Sequence, residues 1–288
     1  MPSINLEDIK KYRARSYFPL PGMRLHTVDE AVEFVNMRGF IFFWPVKKVV
    51  LPSLWTAVAG DRPVPDEHDD PGHITWDWKD RMLGKKCWYY ARILRRRNTF
   101  ISMSALPYFY ALSPNYGEPE TDYLEQYEAG QMTAGARAVF EALLREGPLD
   151  TLALRRAAHM KGPTYDTHFN RAMDDLQLEF KALPVGISDA GSWHYAFIYD
   201  LTHRHMPELL IQSRGIVENE ARKKVIELYL RSVGAAQEQD ITRLFGWEMN
   251  KVAVALRGLQ ENGLVQAGIE LAQLGGNWLV LSDILQGV

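Results

Sequence analysis

Residues 73–80 combine the side chains that chemistry on an aromatic base would require. Trp76 and Trp78 stand beside two carboxylates, one of them Asp80, and a lysine. Flat aromatic rings can stack on a nucleic-acid base that has been extruded from its duplex, and a carboxylate can accept a proton from water. We therefore predict a base pocket lined by tryptophans with a carboxylate as general base. The candidates are Trp44, Trp55, Trp76 and Trp78 for the pocket and Asp69 and Asp80 for the base. The alternative for each tryptophan is a place in the hydrophobic core.

Other chemistry finds less support. The acidic and histidine residues near His68 and His73 form a loop cluster, and such clusters are more often turns with capping carboxylates than metal sites. Cys87 has no base beside it in the sequence. The sequence contains no Walker A loop, and no glycine-rich dinucleotide-binding fingerprint follows a predicted strand. We predict neither a metal nor a cofactor.

A strongly basic stretch follows at residues 81–97. It holds seven basic residues and no acidic one, interleaved with Trp88 and two tyrosines. Arginine next to aromatic side chains is typical of phosphate contact and base stacking. We predict phosphate contacts from Arg92, Arg95, Arg96 and Arg97. In the alternative interpretation, the aromatic residues are core and the arginines form a solvated face.

Residues 133–197 have the pattern of a winged helix. The first helix is predicted at residues 134–145, the second begins at Asp150 as N-cap, and the third covers 165–180. A hairpin with strands at 182–187 and 193–199 follows. The third helix carries one apolar stripe through Phe169, Met173 and Leu176. Its opposite face is polar, so we predict that His168 and Arg171 approach a duplex.

The same order recurs near the C-terminus. Helices are predicted at residues 220–232, 240–245 and 248–262, and strands at 264–269 and 277–281. We predict a mainly helical α+β fold with tandem winged-helix units, small β-hairpin wings and a Trp-rich N-terminal region. The predicted boundaries are 1–130, 131–205 and 206–288.

Composition limits the possible partners. The 288 residues are 47% hydrophobic and carry a net charge of -3, so any binding of nucleic acid must come from a local patch. A single cysteine fits a reducing cytoplasm. The longest apolar run, residues 40–46, is too short to span a bilayer. We expect a cytoplasmic protein without a membrane partner, and no oligomeric state is predicted.

Four short motifs in the last third of the chain are specific: SVGAA at 232–236, DITRLFGW at 240–247, ALRGL at 255–259 and GLV at 263–265. In these motifs the chain resembles the AlkZ/YcaQ-type tandem winged-helix DNA glycosylases. Weaker similarity covers residues 39–55 and 87–91. The resemblance implies a partner that is duplex DNA, modified or damaged. It also implies excision of alkylated or crosslinked bases without a metal, by a Gln-x-Gln or Gln-x-Asp motif that positions and activates water.

That motif falls on Phe42, Phe43 and Trp44, where neither glutamine nor a carboxylate stands. An aromatic pair cannot deprotonate water. Either another carboxylate, for example within residues 69–80, has taken over the hydrolysis of the N-glycosidic bond, or the protein binds DNA without cutting it. Two further hypotheses stay open. One is a transcription regulator that uses the winged helices alone, and the other is an interaction or small-molecule-binding protein.

Overall fold

The computed structural model describes residues 3–115, 117–191, 194–272 and 275–285. Helices predominate and three small sheets are distributed along the chain, which confirms the mainly helical α+β class. None of the helices in these ranges combines the length and hydropathy that crossing a membrane would need.

The N-terminal region alternates short helices and strands. In chain order these are β1 (Ser3–Asn5), α1 (Leu6–Tyr17), α2 (Val28–Arg38), β2 (Phe40–Phe42), α3 (Leu54–Ala59), α4 (Ile74–Met82), β3 (Trp88–Arg92), β4 (Asn98–Ser102), α5 (Leu106–Tyr110) and α6 (Pro119–Glu128). Helix α2 begins after Thr27, because the Thr27 side chain accepts a hydrogen bond from the Glu30 backbone while the Glu30 carboxylate accepts one from the Thr27 backbone.

Strands β2, β4 and β3 form an antiparallel sheet in that order. The apolar run at residues 40–46 contains β2, whose three residues are completely buried. Because both faces of this strand are covered, the run shows no polar alternation, and its period alone did not distinguish strand from helix.

The next elements follow the order of helices and strands predicted for residues 133–197. They are α7 (Ala134–Glu146), β5 (Leu149–Asp150), α8 (Thr151–Ala157), α9 (Asp166–Leu178), β6 (Ala182–Ser188) and β7 (Ala196–Leu201). Strands β5, β7 and β6 form one sheet. The predicted cap is confirmed, since Asp150 accepts hydrogen bonds from two backbone N–H groups of α8. The predicted return strand began at Trp193, which lies outside the described residues.

The C-terminal elements repeat this order after two short helices. The two short helices are α10 (Thr202–His205) and α11 (Glu208–Ser213). The elements after them are α12 (Glu218–Val233), β8 (Ala235–Ala236), α13 (Glu238–Phe245), α14 (Met249–Glu261), β9 (Val265–Ala272), β10 (Trp278–Leu281) and α15 (Ser282–Leu285). Their sheet gains a fourth strand from the start of the chain, because β1 pairs in parallel with β9, with Ser3 opposite Glu270.

One hydrophobic core connects the three predicted regions. Tyr89 from the N-terminal region, Phe180 from the first unit and Tyr229 from the second all belong to a single cluster of buried side chains. Tyr89 and Phe180 are in ring contact, with centroids 5.3 Å apart. This shared core fixes the N-terminal strands against both units.

Candidate nucleic-acid interface

The basic loop between β3 and β4, residues 93–97, projects from this shared core; we call it the arginine loop. Leu94 anchors it, because its side chain is buried and its backbone N–H donates to Thr99 Oγ1 at 3.2 Å. Arg95 and Arg96 have φ values of 53° and 55°, in the left-handed region that residues other than glycine rarely adopt. Such backbone strain persists only where the surroundings enforce it, and it is common at functional sites. Both side chains, and that of Arg97, are exposed.

Arg92 at the end of β3 and Arg96 of the arginine loop are paired with neighbouring aspartates on α9. Arg92 Nη1 lies 2.7 Å from Asp174 Oδ1, and Arg96 Nη2 lies 2.8 Å from Asp175 Oδ1. The backbone N–H of Arg92 also donates to Gln177 Oε1 at 3.1 Å. The C-terminal half of α9 is therefore attached to the N-terminal region, whereas the other half stays exposed.

The exposed half of α9 carries the two residues predicted to approach a duplex. His168 and Arg171 are both exposed, and the stripe opposite them is buried. Their role as DNA-binding residues stays a prediction. The two ends of the predicted recognition helix differ in accessibility. Its N-terminal half is exposed, whereas its C-terminal half forms ion pairs with arginines of the N-terminal region.

A cleft of about 450 Å³ opens at residues 43–47, which include two of the three positions on which the sequence resemblance places the glutamine motif. We call it the arginine cleft. It is lined by Phe43, Trp44, Pro45, Val46, Lys47, Arg92, Arg96, Arg97, Asn98 and Asp174. Four of these side chains are cations. Among the described residues that line the cleft, Asp174 is the one carboxylate.

A second cleft of about 830 Å³ lies on the other side of the arginine loop, against α13. Arg95, Arg96 and Arg243 contribute positive charge to its wall. Trp247 also lines this second cleft, but its ring stacks on Phe245 at 4.4 Å and lies under the guanidinium of Arg222. That indole is therefore already engaged within the protein, and the second cleft offers mainly charge. The arginine loop thus presents cations to two clefts at once.

Behind the arginine cleft lies a buried lysine. The Lys79 amine is 2.8 Å from the Asp80 carboxylate and donates to the Tyr195 hydroxyl at 2.9 Å, while that hydroxyl donates to Asp80 at 2.9 Å. We call these three residues the lysine cluster. Burial lowers the pKa of Lys79, against the opposing effect of the adjacent Asp80. Burial also raises the pKa of Tyr195, so its hydroxyl stays a donor at neutral pH.

Aromatic rings enclose this lysine. The amine lies between 4.7 and 5.8 Å from the centroids of five rings: Phe43, Trp76, Tyr90, Tyr195 and Phe197. Cation–π attraction offsets part of the cost of removing the ammonium group from water. Because Tyr195 and Phe197 come from the hairpin of the first unit, that wing is docked on α4.

Tyr195→Phe tests this docking. The variant removes a hydroxyl that bridges two charged groups, and hydrogen bonds to charged groups contribute about 1.5–3 kcal/mol each. We expect its free energy of unfolding, measured by urea denaturation, to fall by about 2 kcal/mol. Tyr165→Phe is the matched control, because Tyr165 is 45% exposed. Equal stability of the two variants would contradict a structural role for the bridge.

The structure brings two of the four predicted pocket tryptophans together. Trp44 and Trp76 are half-buried, with ring centroids 5.3 Å apart. Among the described residues, Trp44 Nε1 is buried and has no hydrogen-bond partner. Trp55 and Trp78 are core residues with 0% and 3% exposure. A base could stack on either of these two only after the core opened.

The aromatic residues of the basic stretch are core as well. Trp88, Tyr89 and Tyr90 on β3 are at most 4% exposed. The alternative interpretation therefore holds for these rings, which the arginine-and-aromatic pattern had associated with base stacking. Strand β3 buries its rings on the sheet and leaves only its last residue, Arg92, exposed.

The predicted catalytic carboxylates lie away from the arginine cleft. Asp69 is exposed in a turn before α4, and Asp80 is held in the lysine cluster. Neither lines the cleft, and both stay predictions as general bases. Asp174, which does line it, lies on α9 and was not predicted as a site residue from the sequence. Two adjacent aspartates on a helix meant to face phosphates were a signal that this part of the helix serves another purpose.

Comparisons with known proteins agree with this architecture. The family model described as AlkZ related matches residues 25–246. Among solved structures, the chain is similar to the Streptomyces sahachiroi DNA glycosylase AlkZ, with a TM-score of 0.60 and 12% sequence identity over 99% of this chain and 73% of that one. This likeness shows the fold. No curated protein matches the chain significantly. Because the family model covers most of the chain, the protein belongs to the AlkZ-related family.

Proposed function

We propose that the protein binds duplex DNA carrying a modified base and hydrolyses the N-glycosidic bond of that base in the arginine cleft. The observation that carries the proposal is the cleft itself. It opens at residues 43–47, beside the position of the family's water-activating motif, and it joins four cations to one carboxylate. Arginine side chains suit DNA phosphates, since they donate several hydrogen bonds in a fixed geometry.

The charge distribution supports a local contact with DNA. The chain as a whole has a net charge of -3, yet the arginine loop presents three exposed arginines within three residues. A phosphate backbone laid across this loop would meet cations from both clefts. His168 and Arg171, on the exposed half of α9, would extend the contact along the duplex.

An extruded base has a candidate stacking site at the edge of the cleft. Trp44 lines the cleft and contacts Trp76, and both rings are partly exposed. Stacking of a base on an aromatic ring contributes about 1–3 kcal/mol. We therefore retain Trp44 and Trp76 in the proposal and assign Trp55 and Trp78 to the core.

A second candidate function is a damage-binding protein that cuts no bond. The absence of glutamine and carboxylate at Phe42, Phe43 and Trp44 favours it. In that case the same cleft would hold the modified base, and base release would not follow binding.

Fluorescence anisotropy separates these possibilities. Labelled duplexes, either plain or carrying 7-methylguanine or an abasic analogue, are titrated with the protein at several salt concentrations. We expect tighter binding to the modified duplexes and a steep loss of affinity with salt, because phosphate contacts release counterions. Equal binding to all duplexes would favour a transcription regulator. The absence of binding at low salt would contradict both DNA-binding functions and leave the interaction protein.

A further inference from the structure

We propose that Asp174 is the carboxylate that activates water in the arginine cleft, in place of the motif that residues 42–44 lack. The inference rests on the proposed hydrolysis of the glycosidic bond. Asp174 lines the same cleft as Phe43 and Trp44 but comes from a different element, α9.

The Asp174 side chain is held in place yet accessible. Its Oδ1 accepts a hydrogen bond from Arg92 Nη1 at 2.7 Å, and the side chain is 24% exposed. The contact between Gln177 and the Arg92 backbone fixes α9 against β3 one helical turn further on. Within the described part of the chain, Oδ2 of Asp174 accepts no hydrogen bond from protein, so one oxygen is available to a water molecule.

The two carboxylates predicted from the sequence, Asp80 and Asp69, lack this combination. Both Lys79 and Tyr195 donate to Asp80, and none of these three residues lines the cleft. Asp69 is accessible but lies on an exposed turn that does not line the cleft. Asp175 is adjacent to Asp174 and also pairs with an arginine, but it does not line the cleft either.

The reaction that this arrangement supports is a direct hydrolysis. Water attacks C1′ of the deoxyribose, and a C1′–O bond forms as the bond from C1′ to the base nitrogen breaks. The electron pair of that bond leaves with the base, and the carboxylate of Asp174 accepts the proton from water. A purine alkylated at N7 departs as a neutral molecule, so no general acid is required.

Charge also favours a carboxylate at this point. The sugar develops positive charge as the base departs, and the surrounding arginines would oppose that charge if they acted alone. With the arginines engaged by phosphates, Asp174 is the group that can stabilise the sugar. In this arrangement the cations of the cleft bind the phosphate backbone of the DNA, and the one anion stabilises the reacting carbon of the sugar.

Asp174→Asn and Asp175→Asn form a matched pair for the test. Each variant neutralises one aspartate of α9 and breaks one ion pair to an arginine, but only Asp174 lines the cleft. Base release from a duplex containing 7-methylguanine is measured under single-turnover conditions with protein in excess. We expect Asp174→Asn to slow release at least about a hundredfold, the lower range for loss of a general base. Asp175→Asn should release base at a rate within about threefold of the parent, because Asp175 does not line the cleft and so would not serve as the general base.

Binding by anisotropy accompanies the rates. Both variants should bind the duplex at least as tightly as the parent, since each removes a negative charge near phosphate. Rapid release by Asp174→Asn, alongside an active parent, would overturn the role of Asp174 and leave the proposed function intact. Equal slowing of both variants would also overturn it, because the ion pairs would then be the cause. An unmodified protein that binds the duplex but releases no base would overturn the hydrolysis itself.

Discussion

Replacing Arg95 and Arg97 together with glutamate is expected to weaken binding to duplex DNA about a hundredfold. Each lost contact to a charged group costs about 1.5–3 kcal/mol, which is tenfold or more in affinity. Neither arginine makes an ion pair with the described residues, so the exchange removes attraction without breaking an internal salt bridge. Arg97 faces the arginine cleft and Arg95 the second cleft. The double variant therefore tests the whole loop.

Salt dependence identifies the cause of that loss. The slope of log affinity against log salt should decrease by about two for two lost phosphate contacts. Arg214→Glu is the control, because Arg214 is exposed after α11 and lines neither cleft. It should keep its affinity within about twofold of the parent. Unchanged affinity and slope in the double variant would show that the arginine loop is merely a solvated face.

Trp55→Ala and Trp44→Ala are expected to fail in different ways. Trp55 is fully buried, and its indole N–H donates to the Arg62 carbonyl at 3.0 Å. Its ring is so closely packed that a Cβ added at Gly72 would lie 2.7 Å from it. Removing a buried aromatic side chain costs about 3–5 kcal/mol, so Trp55→Ala should lose about that much stability.

Trp44→Ala should instead affect binding. Its ring is half-buried at the edge of the arginine cleft, so truncation leaves a smaller cavity. We expect affinity for the modified duplex to fall about tenfold through lost stacking, with a smaller change for the plain duplex. Urea denaturation and anisotropy on both variants provide the comparison. Normal binding to modified DNA by a folded Trp44→Ala protein would remove this ring from the site.

Local features of the fold could be predicted from the sequence. Asp150 was identified as a helix cap, because a cap depends on residues only two or three positions away. The apolar stripe of α9 was equally clear, since its period reports which face packs inward. The strand order of each hairpin followed from turn residues between apolar runs.

Contacts between distant residues could not be predicted in this way. Strand β1 pairs with β9 across almost the whole chain, and three residues carry too little pattern to indicate a partner. The pairing of Arg92 with Asp174 joins residues 82 positions apart. Nor can residue type show that Trp55 is core while Trp44 borders a cleft, because both are tryptophans in similar local contexts. The candidate site depends on such distant contacts, whereas the helices that support it depend on local sequence and could be predicted.

Base release by the unmodified protein is the direct measure of the proposed hydrolysis of the N-glycosidic bond. A duplex with a single 7-methylguanine is incubated with excess protein, and free base is quantified over time by chromatography. We predict that 7-methylguanine appears well above the spontaneous rate, that an abasic site remains in the strand, and that high salt suppresses the reaction by releasing the DNA. Tight, salt-sensitive binding of that duplex with release no faster than the spontaneous rate would contradict the proposed hydrolysis, and it would make the arginine cleft a site that recognises damage without removing it.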